Sequence, residues 1–220
     1  MIELNVLVEA IAVDLGDPAN WVPPVEFPDS LALCALNSSY SLRASTAAAN
    51  NVLDQYRALR PTANTDSGLD LIAAMDAAGG PVTFAAAVLD NKSKLPGTMR
   101  VRPEGIYEGL TKLAALKAPV TTAEQLRNAV AGDDSSAERA WRSVKGFGPL
   151  AWSYLIMNAG VTSETKPDVM VQRYLKRALG GGKKLTAART RELLQLAAAE
   201  LSVTPRALDR AIWKHESPSR

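Results

Sequence analysis

"GFGPLAWSYLIMNAGVTSETKPD" spans residues 146–168. It holds two glycines one residue apart, an apolar run, a loop, and then Lys166, Pro167 and Asp168. Just before it, "SVK" closes a helix near Val144, and Pro149 opens the next one. Proline suits a first helical turn because the N–H it lacks would have had no partner there. Gly146 and Gly148 permit a tight reversal and leave backbone N–H groups uncovered. Together with the positive end of the following helix, these groups make an anion site without any side chain. Phe147, between the glycines, is placed to plug the turn into a core. The helix "LAWSYLIMNAG" ends at Gly160, and Asp168 opens "VMVQRYLKRAL" 20 residues past Gly148. An aspartate at a helix start reads plainly as a cap. The dipole and free N–H groups there also keep it ionised.

Working outward, nearly every segment has helical spacing and none sustains a period of two. Residues 3 to 14 are apolar at helical intervals, and "GDPANWVPPVEFP" breaks the chain with four prolines. Asp29 is the expected cap of "SLALCALNSSYSL", Ser45 or Thr46 of "AAANNVLDQYRAL", and Asp66 or Ser67 of "GLDLIAAMDAAG". A capping box of Thr121 with Glu124 starts "TTAEQLRNAV". "NKSKLPGTMRVRP" is a basic loop. The expectation is an all-α fold of about ten short helices, forming one domain over 1–220. Its lobes are expected at 30–130 and at 1–29 plus 131–220.

Composition narrows the class. Hydrophobic residues are 47%, charged residues 22% and aromatics 5%, an ordinary globular balance that leans toward helices. No apolar run reaches the ~18 residues of a membrane span. The N-terminus carries acids and no basic region, unlike a signal peptide, so a cytoplasmic location is the default. Cys34 is the only cysteine, which excludes an internal disulfide and a cysteine cage for a metal. It reads as a small buried hydrophobe. Residues 1–30 hold six acids and no Lys or Arg. Residues 166–191 hold Lys166, Arg173, Lys176, Arg177, Lys183, Lys184, Arg189 and Arg191 against Asp168 alone. Such a block suits a polyanion partner or a solvated helical face.

The pattern "VKGFG", an apolar helix, a loop and "PD" opening a helix resembles the helix–hairpin–helix DNA glycosylases. This is the superfamily of endonuclease III and of the alkyladenine and adenine-mismatch glycosylases. "LALCALNSSYSLRASTAAANNVLDQY" is similar to the early helix pair of that fold. "KPDVMVQRYL" and "TPRALDRAIWKHES" resemble a bacterial branch of the superfamily. The resemblance covers roughly residues 29–60 and 100–180. It implies a catalytic aspartate at Asp168 and double-stranded DNA with a damaged or modified base as partner, bound by a nucleoid-associated monomer. Leu150 stands where bifunctional members carry a Schiff-base lysine, so no β-lyase step of that kind is implied. Lys166 reads as a phosphate contact rather than a nucleophile. No metal or other cofactor is implied, a monovalent cation at the hairpin apart.

An N-glycosidic bond breaks with oxocarbenium character, which a fixed carboxylate stabilises while it orients or deprotonates water. The target base must first leave the stack. Candidates for pocket or wedge are Asn37, Ser38, Ser39 and Tyr40, which also read as a plain capped helix end. Trp152 is a further pocket candidate, although Trp141, Trp152, Tyr154, Tyr174 and Trp213 all have core spacing. The turn at Lys145, Gly146, Phe147 and Gly148 is expected to hold one phosphate by backbone. Lys166, Arg173, Lys176 and Arg177 add charge, with Lys92, Lys94, Arg100 and Arg102 in the earlier loop; such contacts position DNA without reading sequence. The alternatives are a DNA-binding module without catalysis and a helical protein–protein adaptor. His215, the only histidine, makes neither a metal site nor a triad.

Overall fold

The computed structural model describes residues 2–132, 134–161, 169–181 and 185–217. Among them the fold is all-α: twelve α-helices, one 3-10 turn and a single isolated bridge between Lys94 and Val101. Among the described residues, no single helix is long and apolar enough to cross a membrane. The chain divides into two units, Glu26–Val161 and Met1–Val25 with Thr162–Arg220. The first is continuous and the second joins the two chain ends. Residues 131–161 belong to the continuous unit, not with the termini as the expected lobes had them.

The continuous unit is built around α2 (Leu31–Tyr40). Its sequence LALCALNSSY has no charged residue and nine of its ten positions are buried, as for a helix apolar all round. It packs against α3 (Thr46–Leu59), α4 (Gly68–Ala77), α6 (Arg102–Ala114) and α9 (Pro149–Asn158). Ser30, not Asp29, caps it. The Ser30 hydroxyl accepts from Leu33 N at 3.2 Å and lies 2.7 Å from Ala63 O. It is wholly buried, a place where a carboxylate would lose its water. Ser45 caps α3, and Ser67 caps α4 in a box with Asp70. Asp66 instead turns inward, taking hydrogen bonds from Tyr56 Oη and Arg60 Nε, both at 2.6 Å.

α5 (Pro81–Ala87), α7 (Ala123–Ala131) and α8 (Ser136–Arg142) complete this unit. The box of α7 is Thr122 with Gln125, one residue beyond the expected Thr121 and Glu124. The Thr121 carbonyl accepts from Gly68 N at 2.8 Å, and its amide donates to Gln125 Oε1 at 2.8 Å. That tie to α4 holds Thr121 outside the helix.

α6 carries two glycines, Gly105 and Gly109, on one face at i, i+4. A Cβ at Gly105 would stand 2.4 Å from Leu95 Cδ1, and one at Gly109 would stand 2.7 Å from Trp141 Cε3. These gaps admit the buried side chains of Leu95 and Trp141.

The second unit packs α1 (Ile2–Leu15) with α10 (Val169–Ala178), α11 (Ala187–Glu200) and α12 (Pro205–Glu216). Its core includes Leu7, Ile11, Tyr174, Leu194 and Ile212. The acidic start and basic end of the chain meet here. Arg189 pairs with Glu3 at 2.5 Å and Arg177 with Asp14 at 3.7 Å. Part of the charge asymmetry is therefore internal ion pairing.

Candidate phosphate-binding turn

The turn between α8 and α9 is built from both sides. Val144 and Phe147 are buried, and the Phe147 ring stacks on Trp141 with centroids 4.7 Å apart. Phe147 N donates to Val144 O at 2.9 Å, closing the reversal. Gly146 has φ 102°, a conformation that L side chains rarely adopt. A Cβ there would also meet Leu95 Cβ at 3.0 Å, Pro96 O at 3.3 Å and Thr98 Cγ2 at 3.4 Å. Gly146 is thus fixed by torsion and by the close approach of the loop 93–101.

Gly148 differs. Its φ of −110° is open to any residue, and a Cβ would meet nothing within 4 Å. It is the N-cap of α9, and its carbonyl accepts from Ala151 N at 3.0 Å. The amides of Gly148 and Leu150 donate to no protein group among the described residues, and Pro149 has none to offer. Two donors at the positive end of a ten-residue helix therefore have no protein partner among the described residues.

The loop against Gly146 is tightly tied. Leu95 N donates to Arg100 O at 2.9 Å, Thr98 N to Leu95 O at 3.1 Å and Arg102 N to Ser93 O at 3.2 Å. Arg100 pairs with Glu108 at 2.7 Å and donates to Glu104 O at 2.9 Å. Arg102 is buried and is not a DNA-facing cation. It donates to Ser39 O, to Leu42 O at 2.8 Å and to Ser93 Oγ at 2.9 Å, and lies over the Tyr40 ring. Burial lowers its pKa from the ordinary arginine value. The carbonyls of Ser39, in the last turn of α2, and of Leu42, just past it, face this cation, a favourable arrangement at a helix C-terminus.

Among the expected DNA contacts, Lys92, Lys94 and Lys145 are exposed and carry no ion pair with described residues. Lys176 is likewise exposed and unpaired among the described residues. Arg173 and Arg177 are both engaged by Glu216, whose side chain is only 5% exposed. The carboxylate raises the pKa of Arg177. Their charge is largely answered within the unit. Lys166 and Asp168 lie outside the described residues, as do Lys183 and Lys184.

The pocket candidates take several places. Ser39 and Tyr40 are buried, so their side chains face the core; Tyr40 Oη reaches Asn91 O at 3.4 Å, and burial raises the phenol pKa. α2 is sealed on several sides, which leaves these positions no opening. Asn37 is half-buried and accepts from Asn158 Nδ2 at 2.9 Å, while Ser38 Oγ donates to Ala151 O at 2.7 Å. Both tie α2 to α9. Trp152 borders a depression of about 160 Å³ with Asp134, Ser135 and Glu138. The sequence reading missed Leu95, Thr98, Gly105 and Gly109, which brace the turn. The i, i+4 glycine pair in "EGIYEG" was the one local sign of them.

A family model described as "Domain of unknown function (DUF8548)" matches residues 5–217. No curated protein and no solved structure matches the chain. The match runs from within α1 to the end of α12 and takes in both units. This protein, over nearly its whole length, belongs to the DUF8548 family.

Proposed function

We propose that this protein grips double-stranded DNA at the 143–150 turn and excises a damaged or modified base as a monofunctional N-glycosylase. The observation that carries the reading is the pair of amides at Gly148 and Leu150, unpartnered among the described residues at the start of α9, on a turn that Gly146 and Phe147 lock in place. Such a cradle suits one phosphate. Exposed Lys94 and Lys145 supply sequence-independent attraction. The chemistry rests on sequence: Asp168 follows Gly148 by the spacing of the glycosylases that the pattern resembles. In that role its carboxylate stabilises the oxocarbenium ion and orients the attacking water. Leu150 in place of a lysine limits the reaction to hydrolysis.

The test is base release from a panel of lesion-bearing duplexes, with wild type compared against Asp168→Asn. Wild-type release lost in the variant is the expected result. Equal release by both removes Asp168 from the mechanism. Salt-sensitive binding with no release across the panel leaves a DNA-binding module without catalysis.

A further inference from the structure

We propose that Met99 inserts into the base stack when this protein is bound to DNA. The inference rests on the DNA-binding reading of the adjacent turn. Met99 is 84% exposed. Isolated exposed apolar residues are common and mean little alone, so its setting carries the argument. It stands at the tip of a loop with backbone ties on both sides, Thr98 N to Leu95 O and Leu95 N to Arg100 O being part of them. The Thr98 hydroxyl adds two more, donating to Leu95 O and accepting from Arg100 N, each at 3.2 Å. Beneath it, Leu95 is wedged into the gap left by Gly105. An apolar side chain is thus held out to solvent on a braced support, with its backbone order already established.

The support is the same one that Gly146 packs against. Thr98 Cγ2 lies 3.4 Å from the Cβ position of Gly146, and Met99 is the next residue, about 3.8 Å on by Cα. A phosphate held by the turn therefore brings a base step within reach of Met99. Exposed Lys92 and Lys94 precede the tip, so the loop draws the backbone in and presents an unbranched apolar chain to it. Proteins that kink or open a duplex use Met, Leu, Phe, Ile or Pro in this way, entering a minor groove about 6 Å wide. The flexible thioether fills an irregular gap. Tyr40 and Ser39, expected from sequence as pocket or wedge, are buried and cannot serve.

The experiment uses the full chain and a duplex with 2-aminopurine beside a central mismatch. Anisotropy of an end label reports binding, and 2-aminopurine fluorescence reports unstacking. Wild type is expected to bind with a fluorescence rise. Met99→Ala is expected to bind about tenfold more weakly and, at saturation, to show little of the rise. Met99→Leu is expected to restore it. A full rise at saturation for Met99→Ala overturns the proposal, and so does wild-type binding with no rise; both leave the DNA-binding reading intact. Absence of wild-type binding overturns both.

Discussion

Replacing each turn glycine by alanine separates architecture from ligand binding, because the two stand in opposite surroundings. At Gly146 a methyl group meets φ 102° and three atoms at 3.0–3.4 Å, one of them the Pro96 carbonyl. The torsional strain is about 1–3 kcal/mol. Displacing the 95–98 loop adds roughly 1 kcal/mol or more. The reduced freedom of the unfolded chain returns about 0.4–1 kcal/mol. The net expectation for Gly146→Ala is a loss of about 1–4 kcal/mol, roughly 3–15 °C in the melting of its unit. At Gly148 the backbone is extended and nothing lies within 4 Å. The weaker N-cap costs about 0.5–1 kcal/mol, and the unfolded-state gain offsets most of it. Gly148→Ala is therefore expected to keep wild-type stability within about 0.5 kcal/mol. Its methyl group nevertheless stands beside the free Gly148 amide, in space that a bound phosphate would share, so duplex affinity is expected to fall about tenfold, near 1.4 kcal/mol. Urea denaturation and fluorescence anisotropy at fixed salt measure the two quantities. A Gly148→Ala protein that binds duplex DNA as wild type does refutes the phosphate cradle. A Gly146→Ala protein of unchanged stability refutes the account of the brace.

Lys94→Ala and Lys145→Ala are each expected to lower the slope of log affinity against log salt by about one. Arg177→Ala is expected to leave that slope alone and to destabilise by about 1 kcal/mol, since it removes a partner of the buried Glu216; a change of slope would return Arg177 to the DNA face. Burial works to raise the Asp66 carboxyl, but hydrogen bonds from Arg60, Tyr56 and Thr62 outweigh it and hold it below the ordinary value of 3.8. Its contribution is thus full above pH ~4 and fades as pH falls further. Acid titration of stability should therefore be shallower below pH ~4 in Asp66→Asn, and an unaltered slope would contradict this. The Cys34 thiol is fully buried and its pKa is raised by that burial. It should react with a thiol reagent only on unfolding, and rapid labelling of the native chain would count against the packing of α2.

The helices were legible because their apolar residues repeat at helical spacing and Ser or Thr caps α2, α3, α4, α7, α11 and α12. The choice between neighbouring caps was not. Ser30 over Asp29 depends on the carbonyls of Ala63 and Asp66, and Thr122 over Thr121 depends on Gly68. Phe147 was readable as a plug because an aromatic residue between two glycines has few other uses. The different duties of Gly146 and Gly148 were not readable, since they depend on a loop some fifty residues earlier. Charge misled for the same reason: nothing local tells Arg189 that it will meet Glu3. The fold class therefore came from local periodicity, while the bracing of the turn and the fate of each cation came from distant pairing.

The joining of the two chain ends in one unit sets an order of events during synthesis. α1 leaves the ribosome first, yet α11 and α12 follow it by more than 170 residues. At about 5–20 residues per second, Leu7 and Ile11 wait on the order of ten seconds or more for their neighbours. The 26–161 unit, continuous in sequence, meets no such delay and can condense in the interval. Pulsed protease treatment of stalled nascent chains would check this: protection of 26–161 should precede protection of α1, and simultaneous protection would contradict it.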